Sequence, residues 1–163
     1  MTPLGWIATG LHGLFAITAG LNLFFMRRPA ASGDARVIVL VPARDEAANL
    51  DELLPLLKSD GLAVAVFDDE STDGTGDVAA RHGATVLKPD GPLPEGWTGK
   101  NRATHALGLH ALATDAERFV FLDADVRPSS GFGDYLRATP SDLVTTGIPR
   151  VVPGEGPEPL VMM

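Results

Sequence analysis

Three apolar runs stand at residues 37–41 (VIVLV), 63–67 (AVAVF) and 119–122 (FVFL), the first ended by Pro42 and the other two running straight into acids, and this recurrence constrains the fold more than any other feature. Short continuous apolar runs are the mark of strands covered on both faces, as in a parallel sheet. The segments between them carry helical spacing, so strand and helix alternate. The class is therefore α/β, with a mostly parallel sheet flanked by helices. In such sheets ligands sit beyond the carboxyl ends of the strands. Here those ends carry residues 42–46, 68–70 and 123–125, delivered to one edge.

Between the runs, residues 43–61 read as a helix with Leu50, Leu53, Leu54 and Leu57 on one face and Gly61 closing it. Pro55 is awkward inside it and predicts a late start, with Asn49 or Asp51 as cap. Residues 71–74 (STDG) form a capped turn into a short helix that ends at Gly83. Residues 85–87 are a short strand, and residues 88–99 (KPDGPLPEGWTG) are a Pro- and Gly-rich loop. A helix over 100–113 has Ala103, Leu107, Leu109 and Leu112 as apolar positions. A short helix over 129–138 and a strand over 143–146 follow the FVFL run.

The 163 residues suit one domain beyond a leading segment, and with no cysteine there is neither a disulfide framework nor a thiolate metal site. Lys and Arg number 13 against 21 Asp and Glu, a net charge of −8, which argues against nucleic acid as a partner. A polyanion would have to be held locally, by metal, backbone amides and a few placed cations.

Residues 3–26 hold no Asp, Glu, Lys or Arg, and Arg27 and Arg28 follow at once. That stretch is long enough to cross a bilayer as a helix. No basic residue precedes it, so the positive-inside rule places residues 29 onward in the cytoplasm. The expected organisation is a transmembrane helix at 3–26, a linker at 27–36 and a domain at 37–163, a single-pass protein of the cell membrane.

Asp123 and Asp125 leave the FVFL run one residue apart. Two such acids are costly unless a cation meets them, and a divalent cation shared with a phosphorylated ligand meets the need. A solvated Asp-rich turn explains the stretch alone equally well. Asp68 and Asp69 likewise come directly off an apolar run, where a carboxylate can accept the imide N–H of a uracil ring or a ribose hydroxyl. Turn chemistry accounts for Ser71, Thr72 and Asp73. Gly99-Lys100 is no Walker loop, since Pro94 and Asn101 break that pattern. Even so, a lysine in the first turn of a helix behind a Gly-rich loop can meet a diphosphate. Trp97 is either a lid aromatic or a packing anchor. His82, His105 and His110 have no metal-ligand spacing.

Four segments in order, VPARDEAANL, FDDESTDGT, GWTGKNRA and FLDADVRP, resemble the nucleotide-binding half of family-2 glycosyltransferases with the GT-A fold. The PLPEGWTGK loop is most similar to the membrane-bound branch with hopanoid-associated and carotenoid glycosyltransferases. The resemblance implies that Pro42, Ala43 and Glu46 line a nucleoside pocket. It implies that Asp69, with Asp68 beside it, holds uracil, and that Lys100 lies near the diphosphate. Asp123 and Asp125 would be the DxD pair for Mg2+ or Mn2+, with Asp125 ligating the metal and Asp123 also on the donor.

The implied activity is inverting, metal-dependent transfer of a sugar from a nucleotide sugar, a UDP-hexose, to a lipid or polyisoprenoid acceptor at the membrane. The family's general base lies on a segment well beyond the DxD strand, and no matching motif occurs here. The last acids, Glu155 and Glu158, sit in PGEGPEP, and EPLVMM reads as the opening of a membrane-lying helix. The expectation is a donor-binding half, incomplete at its C-terminus. The alternative is an inactive or split nucleotide-sugar-binding fragment without the base. A nucleotidyltransferase also pairs acids with Mg2+, but lacks support because no Gly-rich basic loop stands near the N-terminus.

Overall fold

The computed structural model describes residues 3–25, 33–139, 149–151 and 160–162. The sheet is built around β1 (Val37–Ala43), which pairs in parallel with β2 (Ala63–Asp68) on one side and β4 (Arg118–Phe121) on the other. β3 (Thr85–Leu87) extends the β2 side, giving the order β3-β2-β1-β4. The register aligns Ile38 with Ala63 on one flank and with Phe119 on the other.

Successive residues of β1 point to opposite faces. Val37, Val39, Val41 and Ala43 pack with Leu50, Leu53, Leu54 and Leu57 of α2 (Ala47–Ser59) and with Val78 and Ala79 of α3 (Thr75–Arg81). Ile38 and Leu40 pack instead with Ala103, Leu107 and Ala111 of α4 (Gly99–Leu112). Each fully buried leucine contributes roughly 1.5–3 kcal/mol by leaving water, so the four of α2 anchor that layer. Phe132 and Leu136 of α5 (Phe132–Ala138) close the same core.

This layering follows from the strand order. The chain runs outward from β1 to β2 to β3, then returns to the far side of β1 as β4. With right-handed crossovers, helices of the outward run and of the return lie on opposite faces. The reversal opens a crevice between the carboxyl ends of β1 and β4, the place where such sheets bind ligands.

Several local expectations need correction. α2 starts at Ala47, ahead of Asn49 and Asp51, and runs through Pro55. Its first turn is capped from another loop, since Asp73 Oδ2 accepts from the Ala47 N–H at 2.9 Å and Thr75 Oγ1 from the Glu46 N–H at 2.8 Å. Pro55 and Asp51 are both exposed, so water can meet the carbonyl that the missing N–H leaves unpaired. On α4 the buried stripe is Ala103, Leu107 and Ala111, at four-residue steps, while Leu109 and Leu112 are exposed. Among the described residues β4 is an edge strand, and its Phe119 and Phe121 are 40% and 47% exposed rather than covered on both faces.

Residues 160–162 form a strand, β6 (Leu160–Met162), antiparallel to β5 (Pro149–Val151), where a helix opening was expected. The expected strand at 143–146 and the acids Glu155 and Glu158 lie outside the described residues. α1 (Pro3–Phe25) is helical over the apolar N-terminal segment, with Leu11, Leu14, Phe15, Ile17 and Leu21 exposed. Among the described residues no helix is long and apolar enough to cross a membrane.

Candidate functional site

At the carboxyl edge of the sheet lies a cleft of about 430 Å³ lined by Pro42, Ala43, Arg44, Glu46, Asp69, Gly99, Lys100, Ala103, Asp123, Ala124 and Asp125. Of the residues singled out from the sequence, Pro42, Ala43, Glu46, Asp69, Lys100, Asp123 and Asp125 are brought together there. Asp68 is not among the lining residues. It ends β2 with its carboxylate accepting from the Ser71 N–H at 3.1 Å and lying 3.8 Å from Lys88 Nζ.

The loops behind the cleft hold each other in place. Asp45 and Glu70, two residues past the ends of β1 and β2, have φ of 53° and 58°, a left-handed conformation that costs non-glycine residues roughly 1–2 kcal/mol. Hydrogen bonds between the two loops fix it. Asp45 Oδ1 accepts from the Thr72 N–H at 2.7 Å, and the Asp45 N–H donates to Ser71 Oγ at 3.0 Å. Asp45 thus spends its charge on the neighbouring loop. Asp73 is held below the usual carboxylate range, first by the Thr75 hydroxyl and then by the Ala47 N–H.

Asp123 and Asp125 are exposed, whereas Leu122, Ala124 and Val126 between and beside them are buried. Residues 124–125 form a turn closed by the Val126 N–H on the Asp123 carbonyl at 3.2 Å, and both acids line the cleft. The turn is pinned from behind by Arg127, which donates to the Ala124 carbonyl at 3.0 Å, to Glu52 Oε2 at 2.9 Å and to Asn49 Oδ1 at 2.9 Å. Lys100, in the first turn of α4, reaches Asp123 Oδ1 at 2.8 Å. Both partners are exposed, so this pair adds little stability and can exchange for ligands.

Asp69 is the buried acid of the cleft, 5% exposed. Its Oδ1 accepts from Nε of Arg102 at 3.2 Å and from Nη2 of the same guanidinium. Arg102 Nη1 also donates to the Gly91 carbonyl at 3.2 Å, tying the 88–98 loop to the sheet edge. The hydrogen bond to Asp69 raises the Arg102 guanidinium above its ordinary value. In the same loop, Trp97 packs edge-on against His105 with ring centroids 5.3 Å apart, a packing anchor that is still partly exposed.

Two oxygen-donor carboxylates on one turn, open toward a cleft, fit Mg2+ or Mn2+, which take one or two carboxylates and complete their shell with phosphate oxygens and water. Among the described residues no group of three or more His, Cys, Asp or Glu could hold a metal alone, so a ligand must supply the rest. Lys100 and the N-terminus of α4 add positive charge at the same place.

Sequence reasoning missed Arg44, Arg102 and Arg127. Arg44 is the second cation of the cleft, 3.9 Å from Asp69 Oδ2. Arg102 had one signal, a basic residue next to the buried Ala103 stripe, and Arg127 had another, a cation directly after an acid pair.

Fold and cleft together define a doubly wound α/β domain whose switch-point crevice gathers carboxylates from three strand ends and a lysine from the first turn of α4. Domains of this arrangement occur among glycosyltransferases, and the comparisons point the same way. The chain is 31% identical over 134 residues to the 4,4'-diaponeurosporenoate glycosyltransferase of Staphylococcus haemolyticus, covering 72% of this chain and 35% of that protein. It is 34% identical over 90 residues to the enzyme of the same name from Staphylococcus aureus strain USA300, covering 54% of this chain and 23% of that protein. The chain therefore spans about a third or less of the length of these relatives. No family model matches. Among solved structures, a mannosyltransferase from Pyrobaculum calidifontis in complex with GDP-mannose and Mn2+ superposes with a TM-score of 0.58 at 21% identity, covering 84% of this chain and 43% of that one. Its fold is shared, and it matches the GT-A arrangement that the four motifs implied.

Proposed function

We propose that this chain forms the donor side of a metal-dependent glycosyltransferase that takes a nucleotide sugar, a UDP-hexose, and serves a lipid or polyisoprenoid acceptor. The observation that carries the reading is the meeting of Asp69, Lys100, Asp123 and Asp125 in one cleft at the carboxyl ends of three strands. Pro42, Ala43 and Glu46 form the wall toward the nucleoside, and Asp69 accepts from the base. Asp68 supports that edge from behind. Lys100 leaves Asp123 to meet the diphosphate, which is then held against the N-terminus of α4. Asp123 and Asp125 hold Mg2+ or Mn2+. A bound divalent cation supplies positive charge where the departing diphosphate accumulates negative charge. The base for the acceptor hydroxyl is assigned to none of these residues, since each serves the donor.

The lipid acceptor is supported by the carotenoid named in the relatives' descriptions and by α1, whose described apolar side chains stand exposed. Although the described part of α1 is not by itself long and apolar enough to cross a membrane, we propose that residues 3–26 attach the chain to one, with Arg27 and Arg28 keeping the domain on the cytoplasmic face. Calorimetry of UDP binding, with Mn2+ and with chelator, tests the donor reading. Binding should require metal and weaken at least about tenfold in Asp125→Asn, in line with the loss of a charged ligand. Equal affinity in chelator and in metal would overturn it. Partition of the full chain into liposomes tests the attachment, which fails if the chain stays in the aqueous phase.

A further inference from the structure

We propose that Arg102 decides which base the cleft accepts, by disabling one oxygen of Asp69. This rests on the donor reading and adds a specificity-determining residue to it. Arg102 directs both Nε and Nη2 at Asp69 Oδ1, which fills the two lone-pair directions of that oxygen. The fork is itself held, because Nη1 donates to the Gly91 carbonyl, Glu70 Oε2 lies 3.6 Å from Nη2, and the side chain is only 12% exposed. Asp69 Oδ2 differs. Among the described residues nothing donates a hydrogen bond to it, and it lies against Gly99 on the cleft side with Arg44 Nη1 at 3.9 Å.

Asp69 therefore offers a base one acceptor oxygen instead of two. A uracil ring presents one imide N–H between two carbonyls, and a single oxygen satisfies it. The guanine edge presents two parallel N–H donors, a ring N–H and an exocyclic amine, which a free carboxylate meets with both oxygens. With Oδ1 taken, the second guanine donor would face a guanidinium and stay unpaired. An unpaired donor in a desolvated contact corresponds to roughly tenfold or more in affinity.

The test is the ratio of UDP to GDP affinity, measured in Mn2+ on the full chain. The wild type should favour UDP by about tenfold or more. Arg102→Leu frees Oδ1 and should narrow that ratio by at least about fivefold through a gain for GDP. Arg102→Lys keeps the charge but lacks the fork, so it should narrow the ratio in the same direction even if the leucine variant fails to fold. A residue that only supported the loop would weaken both nucleotides alike and leave the ratio unchanged. On the wild type alone, methylation of the imide nitrogen of UDP should cost binding by a similar factor.

A folded variant with an unchanged ratio overturns this inference and leaves the donor reading standing. Wild-type preference for GDP, or equal binding of methylated and plain UDP, overturns this inference together with the uracil assignment of the donor reading, and leaves the metal and diphosphate part of that reading standing. A folded wild type that binds neither nucleotide overturns the donor reading and this inference together.

Discussion

Gly99→Ala and Gly108→Ala make the same chemical change on the same helix and should have opposite signs. A methyl at Gly108 meets nothing within 4 Å, so the substitution acts through helix propensity and should stabilise by up to about 1 kcal/mol. A methyl at Gly99 would lie 2.2 Å from Asp69 Oδ2, well inside van der Waals contact. Contacts with side-chain tips are usually relieved by a small torsion. Here the torsion is blocked, because turning the carboxylate pulls Oδ1 off the Arg102 fork in a site where both side chains are nearly buried.

Overpacking of this kind costs roughly 1–3 kcal/mol, and full rupture of the buried pair sets an upper limit of about 3–5 kcal/mol. Gly99→Ala should thus lower the melting temperature by several degrees, at about 2–4 °C per kcal/mol for a chain of this size, while Gly108→Ala should leave it unchanged or raise it. Urea unfolding followed by circular dichroism reads both variants against the wild type. A Gly99→Ala protein as stable as the wild type would show that Asp69 is free to move, and would refute the fixed geometry on which its role in the cleft depends.

Lys100→Ala should split two affinities. It frees Asp123 and should raise Mn2+ binding without nucleotide by no more than about fivefold, the scale of an exposed pair, while weakening UDP in metal. A fall in both, read by titration, would place Lys100 on the metal side instead. Asp73 has a folded pKa below its ordinary value of 3.8, so its contribution to stability is present above about that pH and lost as pH falls through the lower folded value. The difference in urea midpoint between wild type and Asp73→Ala should accordingly be steady near neutrality and shrink below pH 3.8; a constant difference down to the lowest accessible pH counts against the loop staple. Phe119→Ser with Phe121→Ser should reduce concentration-dependent association in light scattering, because both rings are exposed on an edge strand.

The layer structure was legible in the sequence because burial on two faces leaves a pattern nothing else leaves. VIVLV has no polar position at which water could reach it, and Leu50, Leu53, Leu54 and Leu57 recur at helical spacing. Both readings rest on local periodicity, and both survive in the structure. Coverage by other elements is not local. FVFL is as apolar as VIVLV, yet Phe119 and Phe121 are exposed: they share the face of Ile38 and Leu40, which α4 covers at β1, while β4 pairs on one flank alone among the described residues. The start of α2 was hidden for the same reason, since Asp73 and Thr75 reach it from 26 and 29 residues away.

The two acid pairs show how far spacing can carry chemistry. Asp123 and Asp125 flank the buried Ala124 in a tight turn, closed by the Val126 N–H on the Asp123 carbonyl at 3.2 Å, and both line the cleft. Asp68 and Asp69 are adjacent at the end of β2, and the two-residue period of a strand must send them apart. A methyl at Gly76 of α3 would strike the Asp68 carboxylate, and one at Gly99 of α4 would strike that of Asp69, so the two acids face helices on opposite layers of the sheet. Only Asp69 lines the cleft. Spacing therefore narrows which acids can share a ligand, but does not tell what already occupies them. The Arg102 fork on Asp69 and the Lys100 contact on Asp123 come from a helix more than twenty residues away from either partner, and they give the two carboxylates distinct surroundings, one buried under a guanidinium and one exposed beside a lysine.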